Sequence, residues 1–339
     1  MKKSPTIAFF ETTADDRSYY TAQMKNMGDL YFTNLAIQDD IEVDLGQVEI
    51  LSIHVASDLN SEIIKRMPRL KLIATRATGF NNIDCTTAKH HAITICNVPG
   101  YGSNVVAEYA FMLLLALCRK LIPGLNQMKS GNINHVTLTG TDLHGKTIGI
   151  IGTGSIGSHV GRIANGFGMK VLAFDPYPNH TLEYDLNLSY VSLAQLCEDS
   201  DIITLHAPCT KENHHIIDSR MLGKMKKGAY LINTARGELI DSKALVAVLA
   251  SGKLAGAALD VFEGESIFKI DEEIELLSGP RNRNYDYALE NLVLEKMPNV
   301  ILSPHNAFNS KEAIRLVQNI TLDNIKKYLD NGPQNVIAI

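Results

Sequence analysis

Short apolar runs alternate with polar segments along most of the chain. Before residue 100 the apolar runs read TIAFF, VEILSIHV, LKLIATRA and AITICNV. The polar segments between them, such as SEIIKRM, have the composition of helices. Strands that alternate with helices are typical of parallel sheets whose strands are joined by helical crossovers. The first part of the chain therefore predicts a small α/β unit with a parallel sheet.

A second series of apolar runs begins at Lys146 and reads TIGIIG, KVLAFD, DIITLHAP, GAYLINTAR, LAGAALDVF and NVILSPH. These runs are apolar nearly throughout, which favours parallel strands in a sheet that is covered on both faces. The polar interval from Ser266 to Lys296 is interpreted as an excursion from this sheet and not as disorder. The segment from Lys311 to Leu329 has the spacing of an amphipathic helix.

A long helix is predicted between the two series. Ser103 is expected to be its N-cap, and the next residues read NVVAEYAFMLLLALCRKL. This segment is apolar nearly all the way round, so the helix has to be covered on most sides. A second domain or a second subunit could supply that cover.

Length and composition indicate a globular protein with two domains. The 339 residues exceed the size, roughly 250 to 300 residues, at which a single core usually stops growing. Hydrophobic residues make up 45% and charged residues 20% of the chain, which is ordinary for a globular protein. A net charge of -5 provides no basic face for nucleic acid or an anionic membrane, so neither is expected as a partner.

The cysteines and the apolar stretches predict a cytoplasmic protein. The five cysteines contain no C-x-x-C pair, which suits a reducing compartment, and they are interpreted as small buried hydrophobic residues. The apolar run near the start, Ile7 to Phe10, is too short for a signal peptide. The longest apolar stretch, FMLLLALC, is far shorter than the roughly 20 residues that span a bilayer.

A glycine-rich turn follows the first strand of the second series. Gly152, Gly154 and Gly157 form G-x-G-x-x-G directly between a strand and a helix. Such glycines permit a tight turn, let a pyrophosphate approach the backbone at the helix N-terminus, and let the helix pack on the strand. Asp175 ends the next strand, where a carboxylate can bind ribose hydroxyls and repel a 2'-phosphate. The context favours NAD over NADP, over FAD and over a turn that binds no nucleotide.

Three ionisable residues stand where strands of the second series end. Arg236 follows YLINTA, Glu265 follows AALDVFEG, and His305 follows NVILSP. Taken alone, each of the three could be an ordinary loop residue that is solvated or paired locally. Arg236, for example, could pair with Glu238 or Asp241. Ligands of open α/β sheets bind at the carboxyl ends of the strands, so the three side chains are expected to converge there.

The chemistry of these three residues is complementary. An arginine can hold a carboxylate in a bidentate manner, and a histidine can transfer a proton near neutral pH. A glutamate beside the histidine would raise its pKa and orient its ring. These are the groups that a hydride transfer next to a nicotinamide requires. His206, at the end of DIITLH, is expected near the nicotinamide side of the same site.

Two pairs of adjacent histidines, His90-His91 and His214-His215, raise the possibility of a metal site. Adjacent side chains on a helix or strand are expected to point apart. Neither pair has a carboxylate or thiol at the sequence spacing of metal ligands, so no metal is predicted.

The chain resembles the D-2-hydroxyacid dehydrogenase family, and most closely its D-lactate dehydrogenase branch. The resemblance covers nearly the whole chain and rests on TRATGFNNID, NVPGYGSNVVAEYA, the glycine turn, LHAPCTKENHHII, NTARGELID, ALDVFEGE and SPHNAF. It implies two Rossmann-like parallel-sheet domains with a cleft between them. Residues 1–101 and 307–339 would form a flavodoxin-like substrate domain, and residues 102–306 a doubly wound NAD-binding domain. It also implies a homodimer built around the helix after Ser103.

The resemblance also assigns roles to particular residues. Arg236 would bind the substrate carboxylate and polarise the carbonyl, His305 would donate the proton, and Glu265 would be its partner. Gly79, Tyr101 and Phe308 match positions that border the substrate. The positions that match cofactor contacts are Ser155, Ile156, Asp175, Ala207, Pro208, Asn213, Thr234, Ala235 and Asp260.

The function implied is NADH-dependent reduction of pyruvate, or a similar small 2-oxo acid, to the D-2-hydroxy acid. Two departures bear on the substrate: HNAFN stands where lactate enzymes more commonly have a threonine after the histidine, and RATGF where they usually have a valine-rich turn. A larger 2-oxo acid such as 2-oxoisocaproate or phenylpyruvate is therefore an alternative. A corepressor or scaffold that senses NAD(H) on the same fold is the alternative from another class.

Overall fold

A computed structural model describes residues 5–40, 43–265 and 283–338 of the chain. It divides into two compact units. The first unit consists of Met1–Tyr101 and Ser310–Ile339, and the second of Gly102–Asn309. The second unit extends beyond residue 306, the expected boundary, because the backbone N–H of Ala307 donates to the carboxylate of Asp260 at 2.8 Å.

Strands and helices alternate through most of both units. In chain order, the strands are β1 Thr6–Phe9, β2 Asp29–Phe32, β3 Val48–Ile53, β4 Leu72–Thr75, β5 Thr94–Cys96, β6 Thr147–Ile151, β7 Lys170–Phe174, β8 Leu188–Tyr190, β9 Ile202–Leu205, β10 Ala229–Asn233, β11 Leu254–Leu259 and β12 Val300–Leu302. The α-helices are α1 Ala14–Gln23, α2 Ser61–Lys65, α3 Cys85–His90, α4 Ser103–Cys118, α5 Leu121–Ser130, α6 Ser155–Gly166, α7 Thr181–Asp185, α8 Leu193–Asp199, α9 Ser219–Lys224, α10 Ser242–Ala250, α11 Arg283–Lys296 and α12 Lys311–Leu329.

The first unit contains a five-stranded parallel sheet in the order β2-β1-β3-β4-β5. Alternate residues of β1 point to opposite faces of the sheet. Ile7 and Phe9 pack against helices α1 and α12, and Ala8 belongs to the hydrophobic cluster that includes residues of α2. The C-terminal segment closes the edge at β5, where the N–H of Ile337 donates to the carbonyl of Ile95 at 2.9 Å. The segment after α12 therefore belongs to this unit.

The second unit contains a seven-stranded parallel sheet in the order β12-β11-β10-β9-β6-β7-β8. Helices α4 and α6 cover one face, and α8, α9 and α10 cover the other. Gly149 in β6 lies under α8 so closely that a Cβ atom at this position would stand 2.5 Å from the Leu196 side chain. Both faces of the sheet are buried, which explains the continuous apolar runs.

The prediction of two parallel-sheet α/β domains is confirmed. Two strands, β2 and β8, were not predicted. Each is a short strand at an edge of its sheet, and most of its positions are exposed or partly exposed, so neither has an apolar run as long as those of the central strands. Of the predicted excursion from Ser266 to Lys296, residues 266–282 lie outside the described residues. The rest of it is helix α11.

Helix α4 begins and ends differently from the prediction. Ser103 is its first helical residue and not its N-cap; the cap position is Gly102, without a side-chain cap bond. The Ser103 hydroxyl instead lies 2.6 Å from the hydroxyl of Ser155. The helix ends at Cys118 because Lys120 adopts a left-handed conformation, with φ of 52°. The N–H of Thr141 then donates to the carbonyl of Cys118.

The cysteines differ in burial. Cys96, Cys118 and Cys197 are buried as expected, but Cys85 and Cys209 are partly exposed. In the part of the chain that the structure describes, no helix has both the length and the apolar character needed to cross a bilayer.

Candidate active site

The order of the second sheet places a ligand site beside β6. This strand lies between β9 and β7, and the chain departs from β6 in opposite directions along the sheet. In open α/β sheets such a switch point leaves a crevice at the carboxyl ends of the strands, where ligands bind. The predicted site residues of this unit follow β6, β7, β9, β10, β11 and β12 at these ends.

The glycine turn after β6 has the shape of a pyrophosphate cradle. Gly152 has φ of 90°, and a Cβ atom there would lie 2.7 Å from the backbone nitrogen of Ala207. A Cβ atom at Gly157 would lie 2.0 Å from the carbonyl oxygen of Gly152. At Gly154, by contrast, no atom of the described residues comes within 4 Å of where a Cβ would stand. The two outer glycines are thus required by packing, and the middle one leaves the backbone open to a ligand.

The N-terminus of helix α6 faces the same turn. Gly154 is the N-cap and has no side chain that could bond the first N–H groups, which belong to Ser155, Ile156 and Gly157. Unsatisfied N–H groups and the positive end of the helix dipole attract an anion. These residues can therefore hold the phosphates of a dinucleotide.

Asp175 lies in a cavity of about 390 Å³ next to the glycine turn, lined in part by Gly154, Ser155 and Tyr177. Its carboxylate accepts hydrogen bonds from the backbone N–H of Thr153 at 2.8 Å and from that of Tyr177 at 2.9 Å. These bonds fix an acidic group where the ribose of an NAD molecule would be bound. The residues present thus fit the predicted cofactor.

Tyr190 supports this cavity, although no sequence motif points to it. Its hydroxyl lies 2.8 Å from the hydroxyl of Thr153, which in turn donates to Asp175 at 3.1 Å. The same Tyr190 oxygen accepts from the N–H of Asn179 at 3.2 Å. Tyr190 thereby joins the glycine turn to the loop after β7.

The loop after β9 contains four predicted cofactor contacts: His206, Ala207, Pro208 and Asn213. His206 is buried, and its Nε2 lies 2.8 Å from the Thr204 hydroxyl. Burial lowers the pKa of His206 to about 3, so the ring is neutral near neutral pH. Asn213 closes the loop on itself, because its amide donates to the carbonyl of Pro208 at 2.7 Å and its side-chain oxygen accepts from Thr210 N–H. The contacts of these residues with a cofactor stay a prediction.

A buried asparagine shapes the turn that presents Arg236. The Asn233 side chain donates to the carbonyl of Arg236 at 2.8 Å and accepts from the N–H of Ala235 at 3.0 Å. Arg236 itself is half-buried, and its guanidinium donates to the carbonyl of Ala235 at 2.6 Å. Of the two predicted cofactor contacts in this turn, Thr234 is buried and Ala235 is partly buried, and their contacts with a cofactor stay predictions. An asparagine that ends a buried strand indicates such a turn, so this signal is present in the sequence at Asn233.

Gly237 brings the loop after β10 against the loop after β11. A Cβ atom at Gly237 would stand 2.2 Å from the carbonyl carbon of Phe262 and 2.6 Å from the nitrogen of Glu263. Backbone atoms cannot move aside as a flexible side chain can. Only glycine permits this approach, which places Arg236 and Glu265 on adjoining loops.

His305 and Glu265 are in direct contact. Nδ1 of His305 lies 2.8 Å from Oε1 of Glu265, and both side chains are partly exposed. The hydrogen bond to Glu265 raises the pKa of His305 above its ordinary value, against the opposing effects of burial and of the positive charge of Arg236. The structure therefore brings Glu265 and His305 together, with Arg236 close enough for its charge to act on the imidazole.

Asp260 holds the turn that carries His305. Its buried carboxylate accepts from the Ser303 hydroxyl at 2.6 Å, from the N–H of Asn306 at 2.9 Å and from that of Ala307. The N–H of His305 donates to the Asp260 carbonyl at 3.0 Å, although His305 has the unfavourable φ of 49°. The structure gives Asp260 a supporting role, and its predicted contact with the cofactor stays a prediction.

The predicted substrate contacts lie in both units. In the second unit, the Phe308 ring meets the His305 ring edge-on, with centroids 6.5 Å apart. In the first unit, Gly79 follows β4 and Tyr101 follows β5. Their roles as substrate contacts stay predictions.

The expectation that adjacent histidines point apart is wrong for one pair. The centroids of the His214 and His215 rings lie 4.0 Å apart, because His215 has a left-handed backbone with φ of 52°. Glu263, from a distant part of the sequence, lies beside them. Sequence spacing could not reveal this grouping.

Comparisons with known proteins agree with this geometry. Residues 111–307 match the sequence model of the family described as D-isomer specific 2-hydroxyacid dehydrogenase, NAD binding domain. The chain is 32% identical over 330 residues to D-lactate dehydrogenase of Escherichia coli. This alignment covers 96% of this chain and 97% of that protein. It is 41% identical over 262 residues to an aromatic 2-oxoacid reductase of Clostridium sporogenes, in an alignment that covers 76% of each chain.

A solved structure resembles the chain over nearly its whole length. D-Lactate dehydrogenase from Aquifex aeolicus, complexed with NAD and lactic acid, superimposes with a TM-score of 0.86 at 34% identity. The match covers 96% of this chain and 96% of that one.

We expect the imidazole of His305 to titrate at lower pH in the Glu265→Gln variant than in the parent protein. The reason is that a neutral amide no longer favours the charged imidazolium. An NMR titration of histidine-labelled protein measures the pKa directly. The matched control is Glu238→Gln, which neutralises an exposed carboxylate two residues after Arg236. An unchanged pKa in Glu265→Gln would mean that this contact is not made in solution.

Proposed function

This chain belongs to the D-isomer-specific 2-hydroxyacid dehydrogenase family, and we propose that it reduces a small 2-oxo acid, pyruvate first, to the D-2-hydroxy acid. Family membership makes it an NAD-dependent oxidoreductase that acts on D-2-hydroxy acids. The observation that carries the choice of chemistry is the contact of His305 with Glu265. It provides a proton donor whose orientation is fixed, at the sheet edge that carries the cofactor cradle.

We assign proton transfer to Nε2 of His305. Because Nδ1 is engaged by Glu265, Nε2 is the ring atom left to donate to the C2 oxygen of the substrate. The carboxylate of Glu265 stabilises the charged ring before donation and holds its plane. His305 is thus the acid in the reduction and the base in the reverse reaction.

We assign the substrate carboxylate to Arg236. Its guanidinium can form two parallel hydrogen bonds to a carboxylate, which fixes both the position and the orientation of a 2-oxo acid. The Asn233 contacts hold the backbone from which this side chain extends. A permanent cation at this point also favours the partial negative charge that develops on the C2 oxygen.

The residues proposed to hold NAD are Gly154, Ser155, Ile156 and Asp175, with support from Tyr190. NADH, when bound, supplies the hydride for the reduction. The helix N-terminus binds phosphate oxygens, and Asp175 accepts hydrogen bonds from the ribose hydroxyls. These assignments give the second unit the NAD-binding role, the substrate carboxylate and the proton donor. We assign the further substrate contacts, through Gly79 and Tyr101, to the first unit.

The relatives and the sequence motifs support two candidate substrates. The relatives include a protein named D-lactate dehydrogenase and one named aromatic 2-oxoacid reductase, at 32% and 41% identity. Pyruvate is our first candidate because the motifs resemble the lactate branch. The aromatic relative supports a larger 2-oxo acid, such as phenylpyruvate or 2-oxoisocaproate, as the second candidate.

We further propose that the protein is a homodimer formed through α4 and the adjoining α5. A groove of about 640 Å³ lies along α4, lined among others by Phe111, Met112 and Leu121. Beyond it α5 presents Leu125 and Met128, which are 48% and 65% exposed. An apolar surface of this extent on a described helix pair is typical of a contact between subunits.

The location proposed is the cytoplasm. All five cysteines are free, as expected where thiols are kept reduced. Two of them, Cys85 and Cys209, are partly exposed and so would be open to oxidation elsewhere.

We predict that Arg236→Lys lowers kcat/KM for pyruvate by about 10²- to 10³-fold, because a lysine cannot form the bidentate contact. Steady-state kinetics at saturating NADH measure the loss. Arg220→Lys, at an exposed arginine in α9, is the control and should leave kcat/KM unchanged. A variant at residue 236 that reduces pyruvate as well as the parent would refute the role given to Arg236.

The substrate and cofactor are tested together by a panel of 2-oxo acids with NADH and with NADPH. We expect the highest kcat/KM with pyruvate, and a rate with NADPH lower by about tenfold or more, since the Asp175 carboxylate repels a 2'-phosphate. Phenylpyruvate or 2-oxoisocaproate as the best substrate would support the second candidate. NADH binding, followed by fluorescence, with no turnover of any acid would support a sensing or scaffold role instead.

The subunit contact predicts that Leu125→Glu weakens the dimer at least about tenfold, because a charge would be buried in an apolar interface. Sedimentation equilibrium measures the dissociation constant of the parent and the variant. The control is Leu316→Glu, at an exposed leucine of α12 in the first unit. A parent protein that sediments as a monomer would contradict the proposed homodimer.

A further inference from the structure

Two imidazoles and a carboxylate meet outside the proposed proton-transfer pair. One ligand atom from each of His214, His215 and Glu263 lies within 4.8 Å of the other two. His214 is exposed, His215 is partly buried, and the Glu263 side chain is only 2% exposed. The group therefore reaches from solvent to the interior of the second unit.

The backbone of His215 produces this arrangement. Its left-handed conformation turns the side chain to the same side as that of His214, so that the ring centroids are 4.0 Å apart. The N–H of His215 donates to the carbonyl of Glu238 at 2.8 Å, which fixes the position of the turn. A non-glycine residue adopts this conformation at a cost, so the surrounding contacts must hold it.

Glu263 is held rigidly on the other side of the group. Its Oε2 accepts from the N–H of Ser242 at 3.1 Å, and its Oε1 accepts from the Tyr287 hydroxyl at 3.0 Å. Its backbone carbonyl accepts from the Asn291 amide at 3.0 Å. A carboxylate fixed in this way needs little ordering when a cation binds, which favours affinity.

The donor atoms and their spacing suit a transition metal. Two imidazole nitrogens and one carboxylate oxygen are ligands that Zn²⁺ accepts at about 2.0 to 2.2 Å. Nε2 of His215 and Oε1 of Glu263 are 2.8 Å apart. Both atoms can coordinate one ion if they move slightly apart. His214 is exposed, so a rotation of its side chain can bring the third ligand into range.

We propose that His214, His215 and Glu263 bind one Zn²⁺ ion per chain, with water completing the coordination. This site is independent of the proposed reduction of a 2-oxo acid, because none of its three ligands is assigned to substrate, cofactor or proton transfer. Glu263 lies two residues before Glu265, so the bound ion would tie the loop after β9 to the loop that carries Glu265.

Isothermal titration of the tag-free, full-length protein with zinc chloride tests the site. We expect one ion per chain in the parent and at least a tenfold weaker affinity in His214→Ala, which removes an exposed ligand without disturbing the buried ones. The first control is His180→Ala: His180 forms an exposed contact with Glu183 at 2.7 Å and belongs to no group of three potential metal ligands among the described residues. The second control is Cys209→Ser, at the partly exposed thiol nearby. Both controls should bind zinc as the parent does.

A cobalt titration followed by visible absorption gives an independent readout. The parent should develop ligand-field bands upon binding Co²⁺, and His214→Ala should lose them while keeping its melting temperature and its NADH affinity. Equal zinc binding by His214→Ala and the parent would overturn the proposal. So would the absence of saturable binding up to 100 micromolar zinc, roughly the limit of a specific site, or loss of binding in Cys209→Ser alone.

Discussion

The approach of the Gly237 backbone to Phe262 and Glu263 is the constraint on which the candidate active site depends. At this point two loops that follow adjacent strands touch through main-chain atoms, with no room for a side chain. Arg236 stands immediately before the contact and Glu265 two residues after it. Main-chain packing has no rotamer freedom, so it fixes the relative position of the two charged groups more tightly than a side-chain contact could.

In the rest of the candidate site, buried polar groups hold the backbone and leave the ends of the predicted functional side chains accessible. Asn233 holds the turn of Arg236, and Asp260 holds the turn of His305. Both supporting residues are buried, whereas the side chain of His305 remains 40% exposed. A buried polar side chain that lost these bonds would be costly, which is why these turns are well determined.

The sequence was sufficient for the fold because buried parallel strands read as continuous apolar runs, and ten of the strands in the described residues coincide with such runs. It was not sufficient for β2 and β8, which are short strands at the edges of their sheets with mostly exposed or partly exposed positions. Ser103 illustrates a further limit: a serine before an apolar run resembles an N-cap, but here its hydroxyl meets Ser155, more than fifty residues away. The meeting of Glu265 with His305 could be expected from their chemistry and strand positions. The support from Asn233, Tyr190 and Gly237, and the grouping of His214 with His215 and Glu263, depend on contacts between distant residues that no local spacing encodes.

Because supporting groups are separate from functional groups, the reaction class and the substrate preference depend on different parts of the site. The proposed proton donation and carboxylate binding need fixed positions of His305, Glu265 and Arg236, and these positions follow from hydrogen bonds and main-chain packing within one unit. Preference for one 2-oxo acid over another depends instead on the volume left for its side chain. A methylene in an apolar pocket changes discrimination by about 10- to 200-fold. A single replacement at Phe308, which is expected to border the substrate, could therefore alter the preferred acid while every contact that supports the proposed proton donor stays in place.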